Sequence, residues 1–255
     1  MEHYLEHFKG DEVFCRQIMD IKERVEENYM MQVTPFLNPH QQMIVSSLIG
    51  KHQGVKVSFD GGFDNAEMQR AVIYPDVFEV TNEDYEVAVL SVRYPGKFVK
   101  ISHRDVLGAL MNLGLKRELY GDIIVHEDYA YFACDEKMAD YLIQNLTMVG
   151  RGSVKVKRVT TRIEHKQDYQ IVQHSIASFR LDLIIAEAFK LSRSEASQYI
   201  QGNFVKVNYK EVVQTNYLCH NMDIISVRRH GRIKIVDLKK LNRKQKHVIE
   251  VWFYK

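Results

Sequence analysis

The sequence predicts an α+β protein with an N-terminal α/β unit, a ferredoxin-like middle domain of order βαββαβ, and a C-terminal module of two helices against a small sheet. Two observations predict this class. Segments with the two-residue period of strands alternate with segments of helical period along the chain. Between residues 76 and 165 their order is β-α-β-β-α-β, the split βαβ pattern. The expected domains are residues 1–75, 76–165 and 179–255.

The charged residues are divided unequally between the two halves. Residues 1–150 hold 14 Lys and Arg against 24 Asp and Glu, and residues 151–255 hold 21 against 9. The formal net charge of +2 therefore conceals a net of −10 and a net of +12. This asymmetry predicts a polyanionic partner for the basic half, while the acidic half suits a protein partner. Pairing of the two halves with each other is the alternative.

Composition narrows the class of protein. A hydrophobic fraction of 45% supplies enough apolar material for globular cores. The cysteines, Cys15, Cys134 and Cys219, lie far apart, so neither a disulfide framework nor a zinc site is expected. The chain has no run of 18 apolar residues, and its first residues lack the order of a signal peptide. We expect a cytoplasmic location with no membrane contact.

The N-terminal unit combines helices and strands. Residues 13–25 carry apolar side chains at helical spacing, and Thr34-Pro35 ends that pattern because the residue before proline avoids the α region. Asn38 is placed to cap a new helix that begins at Pro39 and ends at Gly50. Residues 55–59 alternate as a strand.

The middle unit supplies the ferredoxin-like order. We expect a helix over His103–Asn112, capped by Ser102 and stopped at Gly114. A second helix is expected from Asp135 to Leu146. The expected strands lie at residues 85–94, 123–125, 129–134 and 154–159.

Three aromatic residues, Tyr129, Tyr131 and Phe132, lie in the third of these strands. They sit where RNA-recognition domains of this fold stack bases on the sheet. Tyr129 and Tyr131 share one face because side chains alternate along a strand. Packing into the core is the alternative.

The C-terminal module carries the most informative pattern. A helix is expected over Arg180–Phe189, followed by a capping box at Ser192–Glu195 and a second helix that stops at Gly202. Residues 204–208, 223–228 and 232–236 alternate as strands. Residues 248–253 are expected to return as a further strand.

The polar and basic residues of this module predict a surface for an RNA backbone. The start of the second helix offers free amides and the positive end of the helix dipole to a phosphate. Arginine guanidinium groups match phosphate oxygens in a bidentate manner. We expect one cationic surface formed by Arg180, Ser192, Arg193, Ser194, Gln198, Lys206, Asn208, Lys210, Arg228, Arg229 and Arg232.

Residues 179–236 resemble an S4-type RNA-binding domain. The shared pattern is Arg180-Leu181-Asp182, Ser192-Arg193-Ser194-x-Ala196, Ile200-x-Gly202-x-x-Val205-x-Val207-Asn208 and Asp223-x-Ile225-x-Val227-Arg228. Two positions depart from it, since the family usually has glycine where this chain has Tyr209 and Met222. The first departure bears on the turn, because Asn-Gly favours a tight primed turn.

The whole chain resembles the YlmH-type proteins of Gram-positive bacteria. The additional motifs are Phe36-Leu37-Asn38-Pro39 and Gly61-Gly62-Phe63-x-x-Ala66-Glu67-x-x-Arg70, with Met68 where a basic residue is often found. This resemblance implies binding to ribosomal RNA or tRNA. It also implies action on large ribosomal subunits that hold a stalled nascent chain on tRNA, and a link to cell division.

Catalytic motifs are weak in this sequence. His103-Arg104-Asp105 matches part of a kinase catalytic loop, but the required Asn is replaced by Leu110, and no glycine-rich phosphate loop is present. Pseudouridine synthases also use an Arg-Leu-Asp run, in which the aspartate is catalytic. Here the run opens the S4-type domain, so we interpret Asp182 as a charge that favours the helix dipole. No cofactor, metal or catalytic residue is expected.

Three hypotheses about function follow. The first is a ribosome-associated RNA-binding factor without chemistry of its own. The second is an RNA-modifying enzyme, and the third is a protein adaptor for cell division. The basic tail from Lys239 to Lys246 either contacts phosphates or is simply solvated.

Overall fold

The computed structural model describes residues 8, 10–50, 54–96, 99–164 and 168–254. The chain divides into two compact units, Met1–His165 and Lys166–Lys255. No helix in the described ranges combines the length and apolar content needed to span a bilayer.

The N-terminal part of the first unit packs two helices on a three-stranded antiparallel sheet of order β1-β4-β2. Its elements are α1 (Glu12–Asn28), β1 (Gln32–Leu37), α2 (Pro39–Ile49), β2 (Val55–Asp60), β3 (Phe63–Asp64) and β4 (Gln69–Pro75). Helix α2 begins as predicted, because the Asn38 side chain accepts a hydrogen bond from the Gln41 amide and the Gln41 side chain bonds back. Gly50 caps its end.

Strand β1 was not predicted, because it contains Thr34-Pro35. The strand lies at an edge of the sheet, and its register with β4 shifts between Val33 and Phe36. Edge strands and bulges tolerate a residue that has no amide hydrogen to donate. Helix α1 has already ended at Asn28, where Tyr29 caps it, so Thr34-Pro35 lies within a strand and is not what ends the helix, contrary to the expectation.

The middle part of the first unit has the predicted ferredoxin-like architecture. Its sheet is antiparallel with order β10-β5-β7-β6, and two helices cover one face. The main elements are β5 (Val87–Arg93), α3 (His103–Asn112), β6 (Tyr120–Val125), β7 (Tyr129–Asp135), α4 (Ala139–Asn145) and β10 (Lys155–Val159). Helix α3 has the predicted bounds and the Ser102 cap. Helix α4 begins later than predicted, because Asp135 caps a 3-10 turn at Glu136–Met138 first.

Three short strands complete the first unit. Strands β8 (Met148–Val149) and β9 (Gly152–Ser153) pair with each other. Strand β11 (Ile163–Glu164) pairs in parallel with β3 of the N-terminal part.

The glycine-rich motif at residues 61–70 joins the N-terminal and middle parts. Gly62 has a φ of +82°, and a Cβ there would lie 2.7 Å from a Val89 side-chain carbon. Arg70 is buried, donates to the carbonyls of Thr34 and Glu86 at 2.7 Å each, and pairs with Asp135 at 3.2 Å. The motif therefore builds a joint with its own small apolar core, which explains why residues 1–75 and 76–165 share one compact unit.

The second unit packs two helices on one face of a six-stranded antiparallel sheet of order β12-β17-β16-β15-β13-β14. Its elements are β12 (Tyr169–Ile176), α5 (Leu181–Phe189), α6 (Arg193–Gln201), β13 (Val205–Val207), β14 (Lys210–Glu211), β15 (Ile224–Val227), β16 (Gly231–Leu241) and β17 (His247–Tyr254). The expected return strand is β17, which lies between β16 and β12. Strand β12 lies before residue 179, so this unit begins earlier than the expected domain.

Candidate nucleic-acid interface

A buried carboxylate holds two of the predicted RNA-binding arginines. Asp182 accepts hydrogen bonds at 3.0 Å from both Nε and Nη2 of Arg180, and at 2.9 Å from Nη2 of Arg193. The Asp182 side chain is 3% exposed, whereas those of Arg180 and Arg193 are 38% and 63% exposed. Burial on its own would raise the pKa of Asp182, but the hydrogen bonds from Arg180 and Arg193 outweigh it and lower that pKa. Asp182 therefore positions two exposed guanidinium groups, a role that the sequence pattern did not predict.

The start of α6 has the expected capping box. The Glu195 amide donates to Ser192 Oγ at 3.2 Å, and the Ser192 amide donates to the Glu195 carboxylate at 2.8 Å. Hydrogen bonds from Ser192 lower the pKa of Glu195, so this carboxylate is ionised at neutral pH. Ser192 thus shapes the helix start, while exposed Arg193 and Ser194 in the first turn face solvent.

Gln198 of α6 lies beside Arg228 and Arg229, which follow strand β15. Gln198, Arg228 and Arg229 line an open cleft of about 330 Å³ together with Tyr199 and Phe204. The Arg228 guanidinium lies 5.2 Å from the centre of the Phe204 ring. A cation above an aromatic ring keeps its charge and its outward hydrogen-bond donors. These residues extend the cationic surface of α6 towards the β15–β16 turn.

Lys206 and Arg232 do not lie on one surface with the other predicted residues, contrary to the expectation. Val205, Val207 and Ile233 are buried against α5 and α6, so the alternating neighbours Lys206 and Arg232 project from the opposite face of the sheet. Both are register partners of Ser226, which places them in one row across the strands.

Lys210 stays on the helix side of the sheet. It is the register partner of buried Val207, so the two side chains share a face. The cationic residues of the second unit are therefore divided between two faces.

Asn208 has a structural task. Its side chain donates to Asp223 at 2.8 Å and accepts from the Ile224 amide at 2.9 Å. Asn208 and Tyr209 have φ values of +48° and +70°, the positive values that a primed turn requires at both central positions. The turn is thus kept although Tyr209 replaces the usual glycine, and Asn208, whose side chain is already used in this turn, is left out of the proposed interface.

The aromatic residues of β7 are divided between core and surface. Phe132 is fully buried against the helices of the middle part. Tyr129 and Tyr131 share the opposite face, with ring centres 5.3 Å apart, and His126 lies 4.4 Å from Tyr129. Arg93 and Lys155 continue the row from Tyr129 across β5 and β10. Packing is therefore the outcome for Phe132. Tyr131 also packs partly against the apolar core that joins the N-terminal and middle parts, and base stacking stays a prediction for the two tyrosines.

The basic tail forms the tip of the β16–β17 hairpin. Lys239, Lys240, Arg243, Lys244 and Lys246 are all exposed there. Among the described residues, no group of three or more His, Cys, Asp or Glu side chains is arranged to hold a metal ion.

Comparison with known proteins agrees with this architecture. Three family profiles match: the YlmH N-terminal domain over residues 11–78, the putative RNA-binding domain in YlmH over residues 81–162, and the S4 domain over residues 179–225. Ribosome-associated protein quality control protein P2 of Bacillus subtilis (strain 168) is 33% identical over 249 residues, which cover 96% of each chain. The solved structure of cell division protein ylmH from Streptococcus pneumoniae is 31% identical, with a TM-score of 0.52, over 59% of this chain and 92% of that chain.

These matches follow one another along nearly the whole sequence, and the S4 profile falls on the helices that carry the Asp182 contacts. The chain belongs to the YlmH family.

Proposed function

We propose that this protein binds ribosomal RNA and tRNA on the large ribosomal subunit and acts, without catalysis of its own, in the quality control of stalled translation. The observation that carries the proposal is the pair of exposed arginines held by buried Asp182 beside the start of α6. Fixed guanidinium groups next to free helix amides suit phosphate oxygens. The name of the Bacillus subtilis relative supports the ribosome as the partner and thus action in the cytoplasm.

The proposed interface comprises Arg180, Arg193, Ser194, Gln198, Lys210, Arg228 and Arg229 on the helix side of the second unit. Each phosphate contact adds affinity that falls with salt and does not depend on sequence. Such a surface favours structured RNA over a particular base sequence.

Sedimentation of cell extracts through sucrose gradients tests this function. We expect the protein to sediment with large ribosomal subunits and to be released by ribonuclease. Arg193→Glu should shift it to the top of the gradient, while Arg104→Glu on the surface of helix α3 should not. Sedimentation of wild type and Arg193→Glu at the same position would contradict the proposed surface.

One other function has specific support, and an RNA-modifying activity is tested separately. The Streptococcus pneumoniae relative is named a cell division protein, which favours an adaptor that keeps its protein partner after ribonuclease treatment. An RNA-modifying activity would be revealed by a nucleoside that disappears from RNA of a deletion strain in mass spectrometry. We expect no such loss.

A further inference from the structure

A second chemically distinctive surface lies on the sheet face that α5 and α6 leave open. Side chains there come from β12, β16 and β17, which alternate between this face and the buried core. We call it the outer strip and define it as Tyr169, Arg232, Lys234, Trp252 and Tyr254. Tyr169 and Tyr254 are register partners, as are Lys234 and Trp252. The strip therefore crosses three adjacent strands.

Rings and cations alternate within the outer strip. The Tyr169 ring centre lies 5.1 Å from that of Trp252 and 5.0 Å from that of Tyr254. The Arg232 guanidinium lies 4.3 Å from the centre of the Tyr254 ring, and Lys234 Nζ lies 5.6 Å from that of Trp252. The adjacent Ile171 side chain is 51% exposed, so the strip continues into open apolar surface.

The core of the unit does not account for this cluster. All five residues of the strip are only partly buried and belong to none of the buried core positions. They also lie outside residues 179–225, the range that matches the S4 domain. The strip is thus built from strands that lie outside the range that the S4 profile matches.

The charges near the outer strip favour a ligand that binds by stacking on the rings over one that binds by ion pairing alone. Lys206, in the same row as Arg232, pairs with Glu211 at 3.6 Å. Glu250 accepts a hydrogen bond from Trp252 Nε1 at 3.0 Å. An acidic peptide would therefore meet carboxylates as well as cations. Unpaired bases of any kind can gain stacking energy on the aromatic rings, because every base has a flat face. Arginine and lysine can contact the phosphate backbone between them.

We propose that the outer strip binds a short single-stranded RNA segment, with bases on the aromatic rings and phosphates at Arg232 and Lys234. Paired RNA is excluded from this mode, because its bases are already stacked within the helix. The inference extends the proposed function to a second, unpaired RNA element on the opposite face of the same unit, and it rests on that function for the class of polymer.

Trp252 is the only tryptophan of the chain, so its fluorescence reports on the strip alone. The full-length protein is titrated with oligouridylate of about twelve nucleotides and, in parallel, with a blunt RNA duplex of equal length. We expect oligouridylate to quench Trp252 saturably and the duplex to leave its emission unchanged. Quenching by the duplex with equal affinity, or no quenching by oligouridylate, would overturn the proposal.

Two substitutions sharpen the test. Tyr254→Ser and Lys234→Ala should each lower the affinity for oligouridylate, the former by about tenfold because one stacking contact is lost. Lys234→Ala leaves all the rings in place, so it tests the proposal even where Tyr254→Ser fails to fold. Displacement of oligouridylate by oligoglutamate at matched concentration would instead assign the strip to an acidic peptide and refute the RNA ligand.

Two variants and two probes distinguish a wrong proposal for the outer strip from a wrong proposal for the helix-side interface. Arg193→Glu should weaken binding of a labelled RNA hairpin and leave Trp252 quenching by oligouridylate unchanged. Tyr254→Ser should have the reverse effect on the two probes. Equal loss of both probes in either variant would contradict two separate sites.

Discussion

Asp182 accepts a hydrogen bond from Arg193 at 2.9 Å across the turn between α5 and α6. The carboxylate is buried and the guanidinium is mostly exposed, so the pair fixes a cation at the surface with one end held inside the protein. Preorganised donors bind phosphate with a smaller loss of side-chain entropy than free ones. The acidic residue is thus expected to support RNA binding.

Asp182→Asn tests this relationship in RNA binding. Removal of a negative charge near a phosphate site would by simple electrostatics strengthen binding. We expect the opposite, a loss of about fivefold to tenfold in hairpin affinity, because Arg180 and Arg193 lose the charge-assisted bonds that orient them. Fluorescence anisotropy with a labelled RNA hairpin measures the change, and Glu211→Gln on the opposite sheet face serves as a charge-matched control. Tighter binding by Asp182→Asn would refute the positioning role.

The pH dependence of stability offers a second test of Asp182. Its pKa in the folded protein is lowered, so the ionised carboxylate stabilises the fold above the unfolded pKa of about 3.9, and this contribution is lost as pH falls through the folded pKa. Urea unfolding should show a stability gap between wild type and Asp182→Asn at pH 7 that narrows as the pH is lowered below about 3.9. A gap that is independent of pH would contradict this account.

Met222 offers a stabilising substitution. This exposed residue has a φ of +73°, a conformation that costs a non-glycine residue roughly 1 kcal/mol. Met222→Gly restores the residue that S4-type domains usually have and should raise the free energy of unfolding by about 0.5 kcal/mol after the entropy cost of glycine. Thermal unfolding measures it, with Met111→Gly in helix α3 as a destabilising control. A lower melting temperature for Met222→Gly would show that its side chain contributes more than the strain costs.

The joint within the first unit depends on Arg70. Removal of one partner of a buried ion pair costs about 3–5 kcal/mol, so Arg70→Ala should strongly destabilise this unit. Arg162 is the matched control, since it pairs with Asp60 and Asp64 but is 45% exposed, and its loss should cost at most about 1 kcal/mol. Chemical denaturation followed by circular dichroism compares the two. A similar loss of unfolding free energy in both variants would contradict the claim that burial makes the Arg70 ion pair the more important of the two.

Local signals explain which elements were predictable. The caps at Ser102 and Ser192 each satisfy amides within one turn, so helices α3 and α6 begin at the predicted residues. Strand β12 carries no such signal, because Gln170, Ile171 and Gln173 are exposed and give no apolar alternation. Its pairing with β17, nearly eighty residues later in the chain, decides its structure.

The candidate site was predictable in composition and only partly in geometry. Arg193, Ser194 and Gln198 lie together because they share one short helix. The separation of Lys206 from Arg193 depends on which sheet face α5 and α6 cover, and tertiary packing determines that face. The contact of Asp182 with Arg193 joins residues eleven positions apart, and the only local signal was an acidic residue beside buried Leu181 in the first turn of a helix.

Hairpin affinity of Arg193→Glu, measured beside Arg104→Glu at moderate salt, tests the central claim most directly. Both substitutions reverse one exposed positive charge in the first turn of a helix, but only Arg193 lies in the proposed interface. We expect Arg193→Glu to weaken binding by at least about tenfold and Arg104→Glu to leave it nearly unchanged. Equal affinities for the two folded variants would contradict an RNA interface at the start of α6.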